Sequence, residues 1–155
     1  RRARLLLAGM LGCGAMFLAA GAAREVWALG AALFALMAPL PVANALFVSI
    51  IQAKAPPDLQ GRLFAASAQL GFVGATASFL LTGPLVDHVL EPAVGTPAWA
   101  WAAPLVGAAP GAGMGLLWVG VGVLMLALTA AVWAGSAVPR LEAELPDHEA
   151  EPARP

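Results

Sequence analysis

The residues best suited to bind a small molecule lie within otherwise apolar stretches. Asn44 and Gln52 fall in one such stretch and Gln69 falls in the next. Each side chain is a neutral amide with both hydrogen-bond donors and an acceptor. Because polar groups are costly inside a membrane segment, they mark either a substrate path or an interhelical contact. We therefore weigh two roles for these residues: lining a cavity for a small-molecule substrate, or bonding one helix to another.

Groups that would support catalysis or hold a metal ion are sparse in the sequence. Asp87, His88 and Glu91 lie close together, but no further group or metal-ligand spacing supports a site. Cys13 is the single cysteine, so we predict a packing role for it and no disulfide. A net charge of −1 provides no basic stripe for nucleic acid. We predict no enzyme activity, no cofactor, no metal and no nucleic-acid partner.

The most distinctive polar segment is the sequence from Gln52 to Arg62. Pro56 and the proline after it are expected to end one helix, and Asp58 can cap a short turn. Gly61 would permit a tight bend, after which Arg62 would anchor the next helix at the membrane surface. The segment could act as a latch that changes partners during transport, or as an ordinary positively charged anchor.

Two further groups of residues predict irregular helix geometry. Pro39 and Pro41 lie in the middle of a long apolar stretch, where they predict a kink, either static or lining a substrate path or gate. Gly83, Pro84 and Asp87 are expected to close the next apolar stretch, with the Asp87 carboxylate near the membrane surface.

The elements that carry these residues are predicted to be membrane-spanning helices. Hydrophobic residues make up 61% of the 155 residues and charged residues 11%, far from the balance of a soluble domain. About 20 apolar residues cross a bilayer as a helix. We predict an all-α membrane protein with a helical region at 1–138 and an acidic, Pro-rich, disordered tail at 139–155. The predicted spans are residues 5–23, 26–53, 63–86 and 114–138.

The polar residues are distributed unequally among the four spans. The first has no Asn, Gln, Ser, Thr or charge, and the fourth has only Thr129 and Ser136. The third carries five polar residues: Ser67, Gln69, Thr76, Ser78 and Thr82. Its small residues Gly71, Gly74, Ala75 and Ser78 suit close approach of another helix. The second and third spans are therefore the ones predicted to face a path or each other.

Lysine and arginine predict the orientation, because they concentrate in cytoplasmic loops. With both termini cytoplasmic, seven of the eight Lys and Arg residues lie inside and only Arg24 lies outside. Trp27, Trp99 and Trp101 would then lie near the outer interface. We predict a multi-pass protein of the inner (plasma) membrane.

In order along the chain, these residues resemble the late part of a major facilitator superfamily transporter, in the branch that contains macrolide-efflux and siderophore-export proteins. The resemblance rests on Asn44, Gln52, the run Pro-Pro-Asp-Leu-Gln-Gly-Arg at 56–62, and the run Gly-Pro-Leu-Val-Asp at 83–87. The tail at 140–147 is also similar to the end of many such proteins. The resemblance covers roughly residues 40–147.

The resemblance implies that the four spans correspond to helices nine to twelve of a twelve-helix fold. It implies alternating access, efflux of small amphipathic molecules and usually proton antiport, although the coupling carboxylates would lie mostly in absent helices. The partners would be the bilayer, a small-molecule substrate and the missing N-terminal helices of the same transporter. Because the chain begins at Arg1 rather than Met, we expect those helices upstream. The alternative is a non-transporting four-helix membrane assembly or interaction protein.

Overall fold

The computed structural model describes residues 2–135, which form helices and turns without a strand. Three helices come first along the chain: α1 (Arg2–Ala22), α2 (Val26–Met37) and α3 (Leu40–Lys54). The last helix is α7 (Ala112–Gly135). Between α3 and α7 lie α4 (Pro57–Leu85), a π-helical turn (Val86–Leu90), α5 (Glu91–Ala93), a 3-10 turn (Pro97–Trp99) and α6 (Ala103–Val106).

Four segments within residues 2–135 are long and apolar enough to cross a membrane. They are Ala3–Ala22, Val26–Lys54, Pro57–Ala93 and Ala112–Gly135, each with a mean hydropathy of 1.5 or more. A bilayer requires about 20 such residues in a helix. The chain is therefore an all-helical protein with the composition of a multi-pass membrane protein.

Helices α1 and α7 pack closely through glycines spaced seven residues apart. Gly14 lies against Gly122, and Gly21 lies against Gly115. Because the residue order is reversed between the two helices, they run antiparallel. A methyl group added at Gly21 would lie 2.5 Å from the Gly115 carbonyl oxygen, so a larger residue cannot fit without movement. Small residues permit this close backbone approach in membrane helices.

Other side chains of α1 and α7 are buried or form a ring pair between the two helices. Phe17 and Trp118 form an edge-to-face pair with ring centroids 6.4 Å apart. Cys13 is buried on α1, which confirms the predicted packing position. Thr129 is buried on α7, and its hydroxyl donates to the Met125 carbonyl oxygen at 2.7 Å. The polar atom of Thr129 is thus satisfied within its own helix.

The second span divides into α2 and α3 at the predicted proline site. Helix α2 ends at Met37, and α3 begins at Leu40 with Pro41 in its first turn. Pro39 is the residue before α3, and its ring restricts the backbone there. Both helices contact α1, so the broken span lies alongside the α1–α7 pair.

Helix α4 is the least packed of the long helices. None of the residues Pro57–Leu85 is buried. The helix contacts α3 at its N-terminal end, and the π-helical turn that continues it contacts α7. Between these two ends its side chains are exposed or half-buried.

The observed bounds differ from the predicted spans mainly at α4. Helix α4 begins at Pro57, whereas the sequence predicts a start at residue 63, and the helical path continues to Ala93 instead of ending near 86. Helix α7 covers Ala112–Gly135, two residues ahead of the predicted start at residue 114. The predicted tail at 139–155 lies outside the described residues.

Candidate functional site

The three amide side chains predicted to line a path are exposed in the structure. Asn44 lies on α3, Gln52 near the C-terminal end of α3, and Gln69 on α4. The structure does not join them: no hydrogen bond links them, and α3 and α4 share few contacts. Among residues 2–135, the Asn44 and Gln69 side chains have no hydrogen-bond partner. Their roles as cavity-lining residues stay predictions.

The connection between α3 and α4 is held by the Gln60 side chain, for which the sequence pattern predicted no role. The Gln60 Nε2 group donates to the Ala55 carbonyl oxygen at 2.9 Å and to the Gln52 carbonyl oxygen at 3.3 Å. The last carbonyls of a helix lack partners within it. Gln60 therefore reaches back from α4 to satisfy the end of α3.

The predicted bend within this connection is wrong. Gly61 and Arg62 lie inside α4, and the glycines with positive φ in residues 2–135 are Gly95, Gly107 and Gly111. The cause is Pro57, because proline suits the first position of a helix, where its missing N–H costs nothing. Pro56 precedes the helix in an extended conformation with ψ of 147°.

The predicted cap at Asp58 is also wrong. The residue that precedes α4 is Pro56, and α4 has no side-chain capping hydrogen bond. Asp58 is exposed in the first turn of α4 instead, where its negative charge is attracted to the positive end of the helix dipole. Arg62 is exposed one turn later.

The other end of α4 is irregular at the predicted Gly-Pro motif. Gly83 and Pro84 lie inside the last turn of α4, and Asp87 lies in the π-helical turn that follows. Pro92 lies just after this turn; a proline lacks the backbone N–H and crowds the turn before it, which explains the wider helical turn there. Asp87 does not close the helix as predicted, because the helical path continues to Ala93.

Glu91 joins the end of this helical path to the start of α7 by hydrogen bonds. Its Oε1 accepts a hydrogen bond from the Gly111 N–H at 2.6 Å, and its Oε2 accepts one from the Gly113 N–H at 3.0 Å. The first N–H groups of a helix need external acceptors, and a carboxylate there also favours the helix dipole. Sequence reasoning missed this contact, because Glu91 is 20 and 22 residues from its partners.

The segment between α5 and α7 folds over the nearby ends of α1 and α7. Trp99 is 3% exposed and packs with Ala102, Val106 and Ala112. Its Nε1 donates to the Gly107 carbonyl oxygen at 2.8 Å. Trp99 is thus a packing residue within residues 2–135, while Trp27 and Trp101 are exposed. That all three lie near the outer membrane interface stays a prediction.

A pocket of about 460 Å³ lies at this same end of the molecule. It is lined by the end of α1, by Arg24 and by the glycine-rich segment before α7. The Arg24 Nη2 group donates to the Pro104 carbonyl oxygen at 2.9 Å, which joins the α1–α2 connection to α6. None of the predicted path residues lines this pocket.

The described part of the chain contains no group of three or more His, Cys, Asp or Glu residues that could hold a metal ion. Comparisons with protein-family models, with curated proteins and with solved structures found no match.

Proposed function

We propose that the chain forms part of a secondary active transporter of the major facilitator type, one that exports small amphipathic molecules by alternating access. The observation that carries this proposal is the exposed α4, a membrane-length helix with neutral polar side chains and no buried residue between Pro57 and Leu85. The unpartnered polar side chains of such a helix favour a further protein surface or an aqueous path beside it.

The two kinds of span differ in whether their polar side chains have partners. Helices α1 and α7 present glycines to each other, and the buried Thr129 hydroxyl is satisfied within α7. In contrast, Asn44 on α3 and Gln69 on α4 have no partner among residues 2–135. An unsatisfied amide in hydrocarbon is costly, which favours placing these side chains toward a path or toward other helices of the same transporter.

The proposed orientation places both termini of this chain in the cytoplasm, in the inner (plasma) membrane. This orientation puts the α3–α4 connection, with Lys54 and Arg62, on the cytoplasmic side. Arg24, Glu91 and the folded segment around Trp99 then lie on the outer side. The antiparallel pairing of α1 with α7 agrees with an even number of spans.

Export of the neutral amphipathic dye Nile red tests the proposal. Cells that produce the full-length protein should lose preloaded dye faster than cells without it. Replacing Asn44 or Arg62 by Ala should slow export while membrane insertion is unchanged. Ser67→Ala is the control, because the Ser67 hydroxyl already donates to the Leu63 carbonyl oxygen at 2.8 Å and is not needed elsewhere.

The alternative function is a non-transporting four-helix protein that assembles with other membrane proteins. The small residues Gly71, Gly74 and Ser78 on the exposed α4 favour it, since they suit close helix packing. Assembly would be supported over transport if cells with and without the protein retained Nile red equally and a second membrane protein co-purified stably with it.

A further inference from the structure

We infer that α4 has two functionally different sides: the Gln69–Thr76 side lines an aqueous path for an uncharged amphipathic substrate, and the Ser67–Ser78 side packs against another helix. The inference rests on the proposed function and specifies which surface of α4 meets the substrate. It adds Thr76 to the candidate path residues and assigns Ser67 and Ser78 to helix packing.

Helix geometry separates the two sides. An α-helix turns by about 100° per residue, so Gln69 and Thr76, seven positions apart, point within about 20° of each other. Ser67 and Ser78, eleven positions apart, also share a direction within about 20°. The two pairs point in nearly opposite directions, with Gly71 and Gly74 on the serine side.

Hydrogen bonding distinguishes the same two sides independently. The Ser67 hydroxyl donates to the Leu63 carbonyl oxygen at 2.8 Å, and the Ser78 hydroxyl donates to the Gly74 carbonyl oxygen at 2.9 Å. These serines are therefore satisfied within α4, and their small size suits close approach of another helix. The side chains of Gln69 and Thr76 have no hydrogen-bond partner among residues 2–135.

The surroundings of Gln69 and Thr76 indicate the class of substrate. The two polar groups lie about 10 Å apart along the helix, at 1.5 Å per residue over two turns. Large apolar side chains, those of Phe72, Val73 and Leu80, are 74%, 65% and 70% exposed near them. No charged residue lies between Arg62 and Asp87. This surface suits a molecule with neutral hydrogen-bonding groups on an apolar frame.

Cysteine accessibility tests the inference without depending on transport. Cys13 is the only cysteine in this chain, and it is buried. In the full-length protein, with Cys13→Ala and any cysteine elsewhere replaced, single cysteines are introduced by Gln69→Cys, Thr76→Cys, Ser67→Cys and Ser78→Cys. A charged, water-soluble methanethiosulfonate reagent is then applied to membranes opened to both faces.

Cysteines at 69 and 76 should react about tenfold faster than those at 67 and 78, because the reactive thiolate forms and meets the reagent only in water. Nile red at saturating concentration should slow the reaction at 69 and 76 alone. Equal rates at all four positions, faster reaction at 67 and 78, or no reaction anywhere would overturn the inference.

The accessibility result is separable from the proposed function. If wild-type cells export Nile red but the serine side reacts faster, the two sides of α4 have been assigned wrongly and the transporter proposal stands. If the Gln69–Thr76 side reacts but no Nile red leaves the cells and none slows labelling, the path exists and the proposed export of amphipathic molecules fails.

Discussion

Glu91 and Gly113 are joined by a hydrogen bond of 3.0 Å from the Gly113 N–H to the Glu91 Oε2, across 22 residues of sequence. The contact is close because Gly113 has no side chain. A methyl group at that position would lie 2.6 Å from Oε2 and 2.9 Å from the Glu91 nitrogen. Gln60 bonds the start of the helical path from Pro57 to Ala93 to the end of α3, and Glu91 bonds its end to the start of α7. Between these two contacts no residue of α4 is buried.

Replacing Glu91 by Ala should loosen the start of α7. The substitution removes both acceptors from the Gly111 and Gly113 N–H groups, and losing a helix cap costs about 1–2 kcal/mol. We expect roughly tenfold faster amide hydrogen exchange in the peptide that contains residues 111–114, measured by mass spectrometry on the full-length protein in detergent.

Glu25 provides the matched control for Glu91. It precedes α2 at the capping position, but its side chain makes no capping hydrogen bond. Glu25→Ala should leave exchange at the starts of both α2 and α7 nearly unchanged. If the two substitutions had equal effects at residues 111–114, the Glu91 contact would not be what stabilises the start of α7.

Gly21→Ala should destabilise the contact between α1 and α7. The added methyl group would lie 2.5 Å from the Gly115 carbonyl oxygen and 2.8 Å from the Val119 nitrogen. Both are backbone atoms, which cannot swing aside as a side chain could. Overpacking of this kind costs about 1–3 kcal/mol, so the apparent melting temperature of the full-length protein in detergent should fall by several degrees.

Gly12 on the same helix supplies the comparison. A methyl group added there meets no atom within 4 Å. Alanine also favours a helix over glycine by about 1 kcal/mol, so Gly12→Ala should keep or slightly raise the melting temperature. A fall as large as that of Gly21→Ala would mean that α1 is sensitive to any added side chain and that the glycine contact is not special.

The number and type of the long elements could be predicted from the sequence, because bilayer thickness sets the length of an uncharged helical run. The break between α2 and α3 was equally accessible, since Pro39 and Pro41 act on the local backbone. These features depend on interactions between residues close in sequence, which composition and spacing record.

The features that sequence reasoning missed depend on distant partners or on competition between local preferences. Gly61 can bend, but Pro57 starts α4 four residues earlier and holds Gly61 in the helix. The burial of Trp99 was not predicted, because its indole N–H bonds the Gly107 carbonyl oxygen eight residues along the chain. Glu91 is 20 and 22 residues from the Gly111 and Gly113 N–H groups, so no local pattern specifies these hydrogen bonds.

Gln60→Ala should free the start of α4 from the end of α3. The substitution removes hydrogen bonds to the Ala55 and Gln52 carbonyl oxygens, and a net loss of about 1 kcal/mol is expected for such a contact. No residue of α4 is buried, so no packing compensates for this loss. Amide exchange across residues 55–60 should accelerate several-fold.

Gln60→Glu should accelerate it at least as much, because a carboxylate would face two carbonyl oxygens without a proton to donate. Gln52→Ala is the control, since Gln52 accepts through its main-chain oxygen, which the substitution retains. If Gln52→Ala accelerated exchange as strongly as Gln60→Ala, the connection would depend on side-chain bulk instead of on the Gln60 amide.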